Sequence, residues 1–108
     1  MNKSDKLIYD AVLSKTDTEF NKRSVSNNEN LTVIKLHGQT CLEIDRENKT
    51  ITINGDTPTT RKSCRLINTV LGSLSSGRVL SRNGEWFYEN GQEKTPFTNR
   101  NLTVLVTS

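Results

Sequence analysis

The clearest helical pattern of apolar positions lies in residues 56–74. At 100° per residue, one side of this segment is apolar and the opposite side is polar. The apolar side consists of Ser63, Cys64, Leu66, Ile67, Val70, Leu71 and Leu74. Pro58 favours extended geometry at Thr57, and Thr59 or Thr60 can cap the helix with a side-chain oxygen. The pattern predicts a capped amphipathic helix over residues 59–74, with its apolar side packed on another element.

Three short patterns with strand periodicity precede this helix, at residues 31–37, 41–45 and 50–54. In the third, Ile51 and Ile53 share one face while threonines lie on the other. Because the links between the three segments are short, they predict an antiparallel meander with one polar face.

After the helix, residues 78–82 and 85–89 flank Asn83-Gly84, which is the strongest hairpin signal in the chain. Residues 102–106 predict a last strand, whereas residues 92–100 contain Pro96 and predict irregular structure or a weak edge strand. The expected fold is therefore α+β, a small antiparallel sheet of five or six strands with one amphipathic helix packed on it, in βββαβββ order.

The first thirty residues have few apolar positions. Leu7, Ile8, Ala11 and Val12 cluster on one face and predict a short helix over residues 5–14. Residues 15–30 are polar and without periodicity, so we expect a linker or a mobile arm. This divides the chain into an N-terminal helix and polar arm over residues 1–30 and an α+β domain over residues 31–108.

Composition limits the size of the core and the class of protein. A chain of 108 residues with 31% hydrophobic residues can build one small domain. It lacks both a transmembrane stretch and the apolar core of a signal peptide, so we expect a cytoplasmic protein. The two cysteines, Cys41 and Cys64, are expected in the core. We also expect a homo-oligomer, most simply a dimer, because Leu7, Ile8 and Val12 would otherwise be exposed.

Positive charge is concentrated in the middle of the chain. Residues 57–84 contain five Arg and Lys residues and no Asp or Glu, although the net charge of the whole chain is only +3. This asymmetry predicts a partner that carries phosphate, either nucleic acid or a nucleotide. The candidate binding residues are Thr59, Thr60, Arg61, Lys62, Arg65, Asn68, Arg78 and Arg82.

The start of the central helix is the most specific part of this set. Free N–H groups, the hydroxyls of Thr59 and Thr60, and the charges of Arg61 and Lys62 together suit an anion. Basic residues in a first turn oppose the helix dipole, which favours a role for them in binding a ligand. The alternative is an ordinary threonine cap followed by solvated basic residues.

Trp86, Phe87 and Tyr88 are consecutive in a predicted strand, so Trp86 and Tyr88 share one face. If that face is exposed, the two rings offer a platform on which bases can stack. If it is buried, they fill the small core. The sequence leaves both alternatives open.

Enzyme chemistry has little support in the sequence. His37 is the only histidine, and the cysteines are not in metal-ligand spacing, so we expect no metal site. Glu43 and Asp45 are the only nearby acids, and no nucleophile accompanies them. No phosphate-loop or dinucleotide motif is present. We therefore expect a protein without catalytic residues and without a cofactor.

Three short motifs resemble a group of small uncharacterised proteins of tailed bacteriophages. They are Leu36-His37-Gly38, the helix start Thr59-Thr60-Arg61-Lys62 and the late strand Gly84-Glu85-Trp86-Phe87. The resemblance covers roughly residues 31–89 and implies a phage origin, in the cytoplasm of a bacterial host, with no agreed activity. The leading hypothesis is a phage accessory protein that binds a phosphate-bearing partner. The alternative is an anti-defence or host-takeover inhibitor that docks on a bacterial protein.

Overall fold

The structure, a computed structural model, describes residues 3–75, 77–91 and 93–106. Over these residues the chain forms two helices and nine strands, and the fold is α+β as predicted. In chain order they are α1 (Lys3–Ser14), β1 (Thr18–Phe20), β2 (Arg23–Asn28), β3 (Leu31–Leu36), β4 (Gln39–Asp45), β5 (Thr50–Asn54), α2 (Arg61–Leu74), β6 (Arg78–Arg82), β7 (Glu85–Asn90), β8 (Glu93–Pro96) and β9 (Asn101–Leu105).

The larger sheet has six antiparallel strands in the order β1-β2-β3-β4-β5-β9. The predicted meander of β3, β4 and β5 forms its centre, with Leu42 opposite Ile53 and Ile44 opposite Ile51. The last strand, β9, returns to pair with β5, so that Ile51 lies opposite Val104. This arrangement keeps the apolar residues of neighbouring strands on one face of the sheet.

The core lies between that face and the two helices. Ile34, Leu42 and Ile53 of the sheet are fully buried, as are Leu66 and Ile67 of α2. The helix begins at Arg61 with Thr60 as its cap, and it packs against α1, β4 and β6. The predicted amphipathic helix and its packing on the sheet are therefore confirmed.

The expectation of a single sheet was wrong. Strands β6, β7 and β8 form a separate three-stranded antiparallel sheet, which includes the predicted hairpin. At its turn Asn83 and Gly84 both have positive φ, 55° and 77°, as a type I′ turn requires. The periodicity of a short strand shows which of its side chains share a face, but it does not show which sheet the strand joins. The choice of sheet depends on contacts with distant elements such as α2.

The expectation of a linker or mobile arm over residues 15–30 was also wrong. This segment contains β1 and β2, joined by a turn in which Asn21 and Lys22 have φ of 51° and 64°. The preceding helix, α1, packs into the same core through Ile8 and Val12, which are 0% and 1% exposed. The argument for an oligomer from exposed Ile8 and Val12 therefore fails, since the chain buries both residues itself.

A buried ion pair explains why the apolar pattern of the sequence does not predict strand β2. Arg23 of β2 points into the core, where its Nε donates to Asp5 Oδ1 of α1 at 3.1 Å, and both side chains are at least 95% buried. The inward positions of β2 are thus Arg23 and Val25, so the strand lacks the apolar alternation that predicts strands. Near the other end of α1, Arg46 Nη2 donates to the carbonyl of Val12 at 2.9 Å.

In the described chain no helix is both long and apolar enough to span a membrane.

We expect Ile67→Ala and Val70→Ala each to lower the free energy of unfolding by roughly 1 to 4 kcal/mol, because both side chains are fully buried. Arg61→Ala and Arg65→Ala, at exposed positions of the same helix, should leave it nearly unchanged. Urea unfolding monitored by circular dichroism measures all four. The reverse pattern would show that the assignment of the two helix faces is inverted.

We expect Asp5→Ala to destabilise the domain by about 3–5 kcal/mol, because it leaves the Arg23 guanidinium buried without its carboxylate. The double variant Asp5→Leu/Arg23→Met should recover much of this loss, since apolar residues can replace a buried ion pair. Lys6→Ala breaks an exposed pair with Asp10 on the same helix and serves as the control. Equal melting temperatures for Asp5→Ala and Lys6→Ala would contradict the expected effect.

Candidate functional site

A pocket of about 390 Å³ lies at the start of α2. One wall comes from the β3–β4 turn region, through Leu36, His37 and Gln39. The other wall comes from the loop that enters α2 and from the first helical turn, through Thr57, Pro58, Thr60, Arg61, Lys62 and Ser63. We call this the α2 entrance pocket.

The cap of α2 leaves part of the helix start free to bind a ligand. Thr60 is extended, with φ −94° and ψ 162°, and its Oγ1 accepts from the Ser63 backbone N–H at 3.1 Å. The Cys64 N–H donates to the Thr60 carbonyl at 3.0 Å. Within the described chain the backbone N–H groups of Arg61 and Lys62 have no acceptor. These two donors, at the positive end of the helix dipole, suit an anion.

The side-chain charge at this site is positive. Arg61 and Lys62 line the pocket and are exposed, and Arg65 is exposed one turn further along the helix. None of the residues described as lining the pocket is acidic. Thr59, also a candidate, is half-buried and lies beside the pocket without lining it. The structure thus brings Thr60, Arg61 and Lys62 of the predicted set together at one cavity.

The sequence predicted no binding role for the opposite wall, which is formed by Leu36, His37 and Gln39. His37, for which we expected no metal site, has a positive φ of 54°, and its N–H donates to the Lys22 carbonyl at 2.7 Å. Gln39 follows the turn, and its Nε2 donates to the Asp56 carbonyl at 3.3 Å. The Leu36-His37-Gly38 turn was visible in the sequence, but nothing in the sequence showed that it faces the start of α2.

Thr57 forms the inner part of the pocket and connects it to the core. Its carbonyl accepts from Trp86 Nε1 at 2.7 Å, and its N–H donates to the Asn54 carbonyl at 3.1 Å. Its own hydroxyl is buried and has no hydrogen-bond partner within the described residues. A buried hydroxyl without a partner costs roughly 1–3 kcal/mol, and this one has almost no surface accessible to solvent in the structure.

Three residues of the predicted basic row have other roles. Asn68 is half-buried, where its Nδ2 donates to the Val79 carbonyl at 2.9 Å and its Oδ1 accepts from the Val79 N–H at 2.7 Å. It therefore holds β6 against α2 and is not part of an exposed row. Arg78 pairs with Glu89 at 3.1 Å, and Arg82 lies opposite Glu85 on the neighbouring strand. Strand β7 thus supplies acids beside both arginines, which reduces the positive charge predicted there.

The stacking platform proposed for Trp86 and Tyr88 is also corrected. Trp86 is 0% exposed and stacks on Phe97, with ring centroids 5.9 Å apart. Tyr88 is 8% exposed and packs against Gly77, where a Cβ atom would overlap its ring. Both aromatic residues fill the core because α2 and the segment after β8 cover their face of the small sheet.

A second and wider cavity of about 780 Å³ lies along β1, β2 and the end of β3. It is lined by the acids Asp17 and Glu19 and by the bases Lys22 and Lys35. Arg23 also lines it, with its charge paired to Asp5, and His37 is shared between the two cavities. Its opposite charges balance, so it has no evident preference for an anion.

The described residues contain no group of three or more His, Cys, Asp or Glu placed to hold a metal ion. Cys41 is buried in β4, and its Sγ donates to the Ile34 carbonyl. Burial raises the pKa of the Cys41 thiol to about 12, and burial also raises the pKa of the half-buried Cys64 thiol. Neither thiol is activated as a nucleophile.

Comparison with protein-family models, with curated proteins and with solved structures found no match to this chain.

We expect Cys41 to resist thiol reagents at pH 8 in the folded protein. A thiol with a pKa near 12 has almost no thiolate at that pH, and the side chain is 1% exposed. Mass spectrometry after labelling should show modification of Cys41 only in denaturant. Cys64, which is partly exposed, should label first. Rapid labelling of Cys41 without denaturant would contradict its burial.

Proposed function

We propose that this protein is a non-enzymatic binding protein that takes a phosphate-bearing ligand, a nucleotide or a nucleic acid, at the α2 entrance pocket. The observation that carries the proposal is the cavity itself. It is lined by Arg61 and Lys62, which bring two positive side chains and two free backbone donors to the start of the helix. Charge-assisted hydrogen bonds from such donors are the usual means by which proteins hold phosphate.

The size of the pocket favours a single phosphate group with part of its attached molecule. A volume of about 390 Å³ is at the small end of the range for ligand sites, roughly 300–1,000 Å³. The buried positions of Trp86 and Tyr88 provide no surface for stacking a row of bases. Arg65, exposed beyond the first turn, is placed to contact a second phosphate or the rest of a longer ligand.

The test is a titration of inorganic phosphate, mononucleotides, single strands, RNA and duplex DNA at low and high salt. Trp86 is the single tryptophan of the chain and donates to the wall of the pocket, so its fluorescence reports binding there. We expect Arg61→Ala/Lys62→Ala to weaken binding by about tenfold or more, since hydrogen bonds from charged groups contribute roughly 1.5–3 kcal/mol each. If the ligand is duplex DNA, each lost phosphate contact should also reduce the log–log salt slope by about one unit.

Arg78→Ala/Arg82→Ala is the matched control. It removes the same charge from the same acid-free segment, but at positions that lie beside Glu89 and Glu85 and do not line the pocket. Equal losses in both double variants would show that net charge alone attracts the ligand. No binding of any phosphate compound at low salt would reject the proposal.

A second candidate is an inhibitor that docks on a bacterial protein. The observation in its favour is the outer side of α1, where Leu7 and Leu13 are 37% and 53% exposed. A complex built on such apolar anchors should lose little affinity as salt rises. Leu13→Ser should then weaken it more than Arg61→Ala/Lys62→Ala, which is the opposite of the order expected for phosphate binding.

A further inference from the structure

The outer edge of β9 is a free strand edge that carries no charge. Strand β9 pairs with β5 on one side, and no described strand pairs with its other side. Its five residues, Asn101–Leu105, include no charged residue and no proline, and Leu105 is 68% exposed. Such an edge is a ready template for another strand.

The other strand edges of the described chain are protected. The far edge of the same sheet is β1, which has only three residues and includes Glu19. In the small sheet, β8 carries Glu93, Lys94 and Pro96, and the Val79 backbone of β6 is already paired with Asn68. Short strands, charges, proline and covering side chains are the usual devices that prevent edge pairing. Among the described residues, none of these devices protects β9.

The backbone groups available at this edge follow from the pairing with β5. The Val106 N–H donates to the Lys49 carbonyl at 2.8 Å, and the Gly55 N–H donates to the Arg100 carbonyl at 2.9 Å. In an antiparallel pair, every second residue bonds the same neighbour, so even-numbered residues of β9 face β5. The N–H and C=O groups of Asn101, Thr103 and Leu105 therefore point outward.

We propose that β9 pairs with β9 of a second copy of this chain, antiparallel about a two-fold axis at Thr103, to join the two six-stranded sheets. In this register Thr103 lies opposite the partner's Thr103, and Asn101 lies opposite the partner's Leu105. Each of these pairs exchanges two backbone hydrogen bonds. All three outward-facing residues of the strand are satisfied at once.

The same register matches the side chains. Leu102 and Val104 lie on the core face and are only partly buried within one chain. Across the two-fold axis, Leu102 lies opposite the partner's Val104, so each chain covers the apolar edge of the other. On the outer face, Thr103 already shares a 3.1 Å hydroxyl contact with Thr52, and the dimer extends this row of threonines.

The absence of charge at this edge is the reason for proposing a second copy of the chain as the partner of β9. The net charge of +3 makes two copies repel, and 25% of all residues are charged. Yet the two strands nearest this edge, Thr50–Asn54 and Asn101–Leu105, contain no charged residue. Two like-charged molecules can meet most easily where both are neutral, whereas a strongly charged partner would gain nothing from this edge.

The first test is sedimentation velocity over low to high micromolar concentration. We expect the wild type to form a dimer reversibly, and we expect Thr103→Lys to weaken it by about tenfold or more, because two lysines would face each other at the axis. Thr52→Lys is the matched control, since it adds the same charge on the same face one strand away from the edge. It should remain a dimer. Circular dichroism melting confirms that both variants are folded.

The second test measures the register. In Thr103→Cys the two new cysteines would have Cα atoms about 5.5 Å apart, within disulfide range, so oxidation should give a covalent dimer. In Leu105→Cys the equivalent atoms lie several residues apart along the strands, and no dimer should form. A wild type that stays monomeric overturns the proposal. So does a dimer that resists Thr103→Lys, or one that crosslinks through Leu105→Cys alone. Phosphate binding is measured separately, so either proposal can fail without the other.

Discussion

Burial of the apolar face of α2 is the interaction on which the rest of the molecule depends. Leu66, Ile67, Val70 and Leu71 are all fully buried, and each contributes about 1.5–3 kcal/mol relative to an exposed side chain. The helix packs against β4 of the large sheet and β6 of the small one, so it connects the two sheets. Its orientation also sets where its first turn, and hence the candidate site, meets the β3–β4 turn.

The site is a consequence of that packing. Trp86, fully buried and stacked on Phe97, donates to the Thr57 carbonyl and so attaches the loop before the helix to the core. The free donors of Arg61 and Lys62 therefore share a pocket with His37. His37 precedes Arg61 by twenty-four residues and lies in the turn between β3 and β4 of the larger sheet. A residue expected to contact a ligand thus acts by positioning the loop that forms the pocket.

Charge is distributed unevenly over the fold. The proposed phosphate site lies in a positively charged region, and the proposed dimer interface lies in an uncharged one. The first turn of α2 retains its positive charge because no described acid lines its pocket, whereas β7 supplies Glu85 and Glu89 beside Arg82 and Arg78. Strands β5 and β9 carry no charge at all. The first region suits an anion and the second suits another copy of the same chain.

The sequence by itself determined the elements whose periodicity or turn chemistry is local. These were the amphipathic helix with a threonine cap, the meander of β3 to β5 and the Asn83-Gly84 hairpin, since each depends on neighbours within a few residues. Only the tertiary structure decided the rest. Arg23 looks like a surface residue until Asp5, eighteen positions away, makes it an inward position of a strand. Asn68 was available to a ligand by its sequence position, but it bonds the Val79 backbone of β6. Trp86 and Tyr88 are buried because their face of the small sheet is covered by other parts of the chain, including Phe97 on Trp86. In each case the deciding partner is distant in sequence, and its position depends on how the helices and sheets pack.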